Sequence, residues 1–141
     1  MSFGRNAFRA ISFGRMEPRS VLIIDDNEAT RTGLVQLLTL RGYRTLAAAD
    51  GRDGLALLRS DRSVGLIILD LGMPIADGYW FRERQREDPL IAHVPLIVFT
   101  GTTHEQLDPR ALDGADVLHK PVGIPQLLER IAIHCGVGLG R

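Results

Sequence analysis

VLIIDDNEATRTGLVQLLTLRG, residues 21–42, contains two periodicities in succession, and their order decides the fold. VLIID (21–25) is an unbroken apolar run ending in acid, the signature of a buried strand. NEATRTGLVQLLTLRG (27–42) then carries leucines at 34, 37, 38 and 40, with Asn27 placed to cap the first helical turn and Gly42 just past the last. A buried strand followed at once by an amphipathic helix is the repeating unit of a parallel sheet.

The alternation continues outward from this unit. YRTLAAA (43–49) is a weaker, partly alternating strand expected near an edge, and GRDGLALLRS (51–60) is a short helix. VGLIILD (64–70) is a buried strand, DGYWFRERQRE (77–87) opens a helix, and VPLIVFT (94–100) is a strand whose Pro95 must lie near its beginning. After a poorly defined stretch from 103 to 113, DVLHK (116–120) is the fifth strand and IPQLLERIAIHCG (124–136) the last helix, with Pro125 in its first turn. Five strands interleaved with helices predict an α/β domain, a parallel sheet covered on both faces and joined by right-handed crossovers.

Composition narrows the class. The chain has 141 residues, enough for one domain and too few for two. With 45% hydrophobic and 24% charged residues it has a globular profile, and no apolar run approaches the ~20 residues that span a bilayer. The single cysteine, Cys135, excludes an internal disulfide framework, fits a reducing, cytoplasmic setting and is expected to pack. Residues 1–19, with SFGR at 2–5 and again at 12–15, carry Arg5, Arg9, Arg15 and Arg19 against Glu17, a net +3, and read as a loosely ordered extension. The domain itself is expected to span 20–136, with 137–141 as a short tail and no output domain expected within these residues. The chain being neutral overall, everything after residue 19 is −3, with no basic stripe to follow nucleic acid.

What ends the strands carries the chemistry. Asp25 and Asp26 follow the first, Asp70 ends the third, Thr100 the fourth and Lys120 the fifth. Parallel strands all point one way, so these groups belong to the carboxyl edge, where open α/β sheets bind ligands. Lys120 is the only lysine beside sixteen arginines. A slim point charge suits a crowded pocket better than arginine's flat fork. Crowded carboxylates repel unless a cation intervenes, and hard oxygens favour Mg²⁺, while no Cys or His has zinc-ligand spacing here. Carboxylates, a divalent ion, a lysine and a hydroxyl suit phosphoryl transfer, with Asp70 as the nucleophile and Thr100 and Lys120 on the phosphoryl oxygens.

DD at 25–26, LIILDLGMPIADG at 66–78, PLIVFTG at 95–101 and HKP at 119–121, in this order, resemble the receiver domain of bacterial two-component response regulators over residues 20–136. The resemblance implies a flavodoxin-like three-layer fold with strand order 2-1-3-4-5. It implies phosphotransfer to Asp70 from the phosphohistidine of a sensor histidine kinase or a histidine phosphotransfer protein, and output by binding a downstream protein. It further implies Mg²⁺ held by Asp26, Asp70 and the backbone carbonyl of Gly72, with Asp25 acting through water, and a cis Lys120–Pro121 bond.

Two departures qualify it. The family's aromatic residue three before the lysine is Val117 here, and Pro109 interrupts the stretch that normally carries a full helix. The switch is therefore expected to work without aromatic rotation. Two rivals remain: a phosphatase of the dehalogenase type, which needs an acid where Gly72 stands, and a receiver-like interaction module without a phospho-switch. His93, His104, His119 and His134 are expected to be structural or solvated, Tyr79-Trp80-Phe81 to favour the core, and Arg82, Arg84 and Arg86 to form a solvated helix face.

Overall fold

The computed structural model describes residues 19–70, 75–101 and 114–135. In chain order they form β1 (Ser20–Ile24), α1 (Glu28–Leu40), β2 (Arg44–Ala48), α2 (Gly51–Ser60), β3 (Val64–Asp70), α3 (Ile75–Glu87), β4 (Leu96–Thr100), β5 (Asp116–His119) and α4 (Ile124–Cys135). The five strands pair in parallel in the order β2-β1-β3-β4-β5, so the expected order holds and the weak second strand is an edge. The segment 103–113, Pro109 included, lies outside the described residues, as do 1–18 and 136–141.

Alternation along β1 builds two cores. Leu22 and Ile24 face one side with Leu55 and Leu58 of α2 and Phe81 of α3. Val21 and Ile23 face the other with Leu38 of α1 and Leu127 and Ile131 of α4. A strand whose two faces are both covered has no place for a polar residue, which is why it reads as a continuous apolar run.

The local signals act as their chemistry requires. Asn27 Oδ1 accepts from the Thr30 N–H at 2.9 Å, capping α1, and Gly42 adopts φ 89° after its end, a conformation costly for other residues. Leu40 departs from the leucine stripe: it is 79% exposed, while Leu38 is fully buried. β4 begins at Leu96, two residues later than the run suggests, because Val94 N–H turns back to the Ile91 carbonyl at 3.2 Å. Pro95, with no N–H to give, still accepts from Ile67 N–H at 3.0 Å.

The arginine face of α3 needs correction. Gly78, Phe81, Arg82 and Gln85 are all buried, at helical spacing along one stripe, so Arg82 belongs to the inward side. Its Nη1 donates to Gln85 Oε1 at 2.7 Å, and Gln85 Nε2 donates to the carbonyls of Ile91 at 3.1 Å and Val94 at 2.9 Å. Arg86 is exposed, and Arg84 pairs with Glu83 at 3.1 Å and Glu87 at 3.5 Å, so the solvated face is theirs. Phe81 is fully buried, and Tyr79 and Trp80 pack partly against the same core. The three described histidines behave as expected: His93 and His119 are exposed, and His134 pairs with Asp116 at 3.2 Å; His104 lies outside the described residues.

Two helical glycines make opposite predictions. A Cβ on Gly33 in α1 would meet nothing within 4 Å, whereas one on Gly54 in α2 would lie 2.4 Å from Cδ1 of the fully buried Ile24. Gly33→Ala is expected to stabilise by about 0.5–1 kcal/mol through helix propensity. Gly54→Ala gains the same propensity but forces Ile24 to repack, for a net loss of about 1–2 kcal/mol. Urea unfolding of both variants reads the difference in sign.

Candidate functional site

The carboxyl edge of the sheet brings the strand-end residues together. Asp25, one residue past β1, is 1% exposed, and its N–H donates to the Ala48 carbonyl at 3.1 Å, continuing the β1–β2 ladder. Its Oδ1 accepts from the Asn27 N–H at 2.9 Å. Arg31 Nη1 donates to its carbonyl at 2.8 Å, fastening the first turn of α1 over the strand end. Asp25 Oδ2 is buried and receives no hydrogen bond. A buried acceptor without a donor is costly and marks a position where a ligand or ion fits.

Asp70 ends β3, the strand beside β1, and is 4% exposed. Lys120 Nζ donates to Asp70 Oδ2 at 2.8 Å across a separation of fifty residues. The pair is uneven, with the lysine side chain 40% exposed and the aspartate 5%, so the ammonium enters from solvent along its aliphatic stem while the carboxylate stays below the surface. Lys120 is positioned through its backbone, whose N–H donates to the Thr100 carbonyl at 2.8 Å. The Lys120–Pro121 bond is cis. Thr100, the last residue of β4, is fully buried.

The electrostatics follow from crowding. Burial, reinforced by the neighbouring Asp70 carboxylate, raises Asp25 from 3.8 to about 6, against the opposing Asn27 N–H and Lys120 ammonium. One lysine thus serves two adjacent acids and leaves negative charge in excess.

Not every expected residue joins them. Asp26 is exposed, and no three acidic, histidine or cysteine side chains form a metal-binding group among the described residues. Gly72 lies outside the described residues. Val117 is half-buried and packs against the α2–α3 core, filling from β5 the position where an aromatic was expected. Asp25's support by Arg31 has no sequence signal beyond the placement of Arg31 in the first turn of α1; it is the tertiary path of the β1–α1 link that brings the guanidinium to the carbonyl.

Known proteins share this fold. Residues 21–132 match the family model described as the response regulator receiver domain. The polar-differentiation response regulator DivK of Brucella anthropi is 28% identical over 121 residues, covering 84% of this chain and 98% of its own. The structure of the chemotaxis protein CheY4 of Vibrio cholerae matches with a TM-score of 0.74 and 28% identity, covering 84% of this chain and 99% of that one. The receiver domain of the sensor histidine kinase PA1611 of Pseudomonas aeruginosa, which has a magnesium ion coordinated in its active site cleft, matches with a TM-score of 0.71 and 25% identity, covering 85% and 99%. With the strand order, the strand-end acids and the lysine in place, the chain belongs to the response regulator receiver domain family, the phosphoacceptor domains of two-component systems.

Proposed function

We propose that Asp70 is the phosphoacceptor of a cytoplasmic signalling switch, charged by a sensor histidine kinase or a histidine phosphotransfer protein and read out by binding a downstream protein. The observation that carries this reading is the 2.8 Å contact between Lys120 Nζ and the buried Asp70 carboxylate. A carboxylate oxygen of Asp70 attacks phosphorus, the P–N bond of the donor phosphohistidine breaks, and the released imidazole nitrogen takes a proton. The product is an acyl phosphate on Asp70. Lys120 then moves from carboxylate to phosphoryl oxygen, a short shift for a flexible point charge already at the site. Thr100, at the end of the neighbouring strand, offers its hydroxyl to a second phosphoryl oxygen.

The residues present suit Mg²⁺. Such an ion takes one or two carboxylates and fills its remaining positions with water, carbonyl and phosphate oxygens. Asp25, with its orphaned Oδ2, and Asp70 supply the two buried carboxylates; Asp26 and the Gly72 carbonyl complete the proposed ligand set. When bound, the ion neutralises phosphoryl charge during transfer. Oxygen-only ligands beside a single lysine explain why two acids share a pocket that one cation cannot neutralise.

With Val117 in the aromatic position, the phosphorylated state is expressed through another surface than the one an inward-turning ring would change. A phosphatase reading is disfavoured, since an acid two residues after Asp70 is absent and Gly72 stands there.

Acetyl phosphate with Mg²⁺ is expected to add one phosphoryl group to the wild type, seen by mass spectrometry, and none to Asp70→Asn or to the wild type in chelator. Lys120→Arg keeps the charge but brings a wider fork, and is expected to label at least ~10-fold more slowly, the loss of one well-placed charge contact. Labelling that is equal in wild type and Asp70→Asn, or that survives chelation, overturns the assignment.

Asp25 makes a separate prediction. The folded chain holds its proton to higher pH than the unfolded chain, so the stability this confers is complete below 3.8 and lost as pH rises to about 6. Without divalent cation, stability should fall across that interval. Asp25→Asn should flatten the profile and stabilise the metal-free protein at pH 7 by on the order of 2 kcal/mol. Denaturant titrations from pH 4 to 7, with and without Mg²⁺, measure both effects.

A further inference from the structure

The turn from β1 into α1 carries two adjacent acids, and one side chain reaches back across it. Arg31 lies in the first turn of α1, where its backbone N–H donates to the Asn27 carbonyl at 2.9 Å. Helical side chains lean toward the amino end of their helix, which carries the half-buried Arg31 back to the strand end. There Nη1 donates to the Asp25 carbonyl at 2.8 Å. That oxygen belongs to the peptide unit joining Asp25 to Asp26. A peptide unit is planar, so a hydrogen bond to it restrains the plane that links the Cα atoms of both acids.

The choice of acceptor matters. A guanidinium commonly forks onto a carboxylate, and a fork on Asp25 would occupy the oxygens that a metal ion needs. Arg31 takes the carbonyl instead, the Asn27 N–H takes Oδ1 at 2.9 Å, and Oδ2 keeps no donor. The Asn27 side chain is itself committed, accepting from the Thr30 N–H at 2.9 Å. These hydrogen bonds close the turn between Ile24 and Glu28 while leaving one buried oxygen available. A rigid turn bears on which ion is held. Mg²⁺ demands near-ideal octahedral geometry with short bonds, whereas Ca²⁺ accepts more ligands in irregular arrangements.

We infer, on the metal-assisted reading of the site given above, that Arg31 is a positioning residue that sets a preference for Mg²⁺ over Ca²⁺ by holding the Asp25–Asp26 peptide through the Asp25 carbonyl. Position and charge predict opposite signs. A guanidinium acting only through its charge repels a divalent cation, so its removal tightens the binding of both ions. One that holds the turn loosens Mg²⁺ when removed and leaves the more tolerant Ca²⁺ little changed.

Calorimetric titration of the full chain with magnesium chloride and with calcium chloride gives both dissociation constants for the wild type, Arg31→Met, Arg31→Gln, Arg31→Lys and Arg41→Met. Methionine has no donor, and glutamine, a good helix former, is too short to reach the carbonyl. Mg²⁺ is expected to bind Arg31→Met and Arg31→Gln about 10-fold more weakly, the usual loss when the support of a metal ligand is removed, with Ca²⁺ within about twofold of wild type. Arg31→Lys, which keeps one donor, is expected to recover part of the preference. Arg41→Met removes the same charge from the exposed far end of α1, about 15 Å away, and is expected to leave both constants unchanged. Urea unfolding checks that each variant is folded. Unchanged or tighter Mg²⁺ binding in Arg31→Met and Arg31→Gln overturns the proposal, and so does an equal loss for both ions, which a loosened fold would produce; both results leave the metal-assisted reading standing. A wild type that binds neither ion overturns that reading and the proposal with it.

Discussion

Two carboxylates are kept below the surface at the ends of adjacent parallel strands, and a single ammonium reaches them. Asp25 and Asp70 arrive there because β1 and β3 pair in parallel, so that both chains leave the sheet at the same edge. The interior behind them is apolar on both faces, which removes water as a source of hydrogen bonds. Lys120 answers Asp70, while Asp25 Oδ2 is left without a donor and its proton affinity rises. The remainder of the domain is built so that this unfavourable grouping persists.

That persistence is distributed. Asp25 is held by the β2 ladder on one side and by Asn27 and Arg31 of the α1 entry on the other. Lys120 is held by Thr100, one strand away. Asp25 and Lys120 are therefore held at the site through backbone hydrogen bonds to elements that pack on the two cores. The cost of the charge cluster is offset by the packed sheet around it.

Much of this was legible in the sequence. The continuous apolar runs of β1 and β3, the Asn27 cap, Gly42 and the acids at the strand ends all act locally, so their spacing foretells their positions. Arg82 was misread because three arginines at alternate positions of α3 look like a charged face; the buried stripe of Gly78, Phe81, Arg82 and Gln85 is filled with polar groups whose partners are loop carbonyls distant in sequence. Leu40 shows the converse, a leucine carried past the end of the packed stripe into solvent. At the site, the approach of Lys120 to Asp70 followed from strand direction, whereas the role of Arg31 depended on how the chain turns after β1, which periodicity does not encode.

The Arg82–Gln85 chain also sets how α3 can respond. Apolar contacts tolerate sliding, but Gln85 grips two specific carbonyls of the α3–β4 connection, and a displacement of one residue along the helix axis would forfeit both hydrogen bonds. The lower half of α3 is thus a fulcrum. Any tilt of α3 would have to pivot about that anchored point, with the half that carries Asp77 and Trp80 as its lever arm.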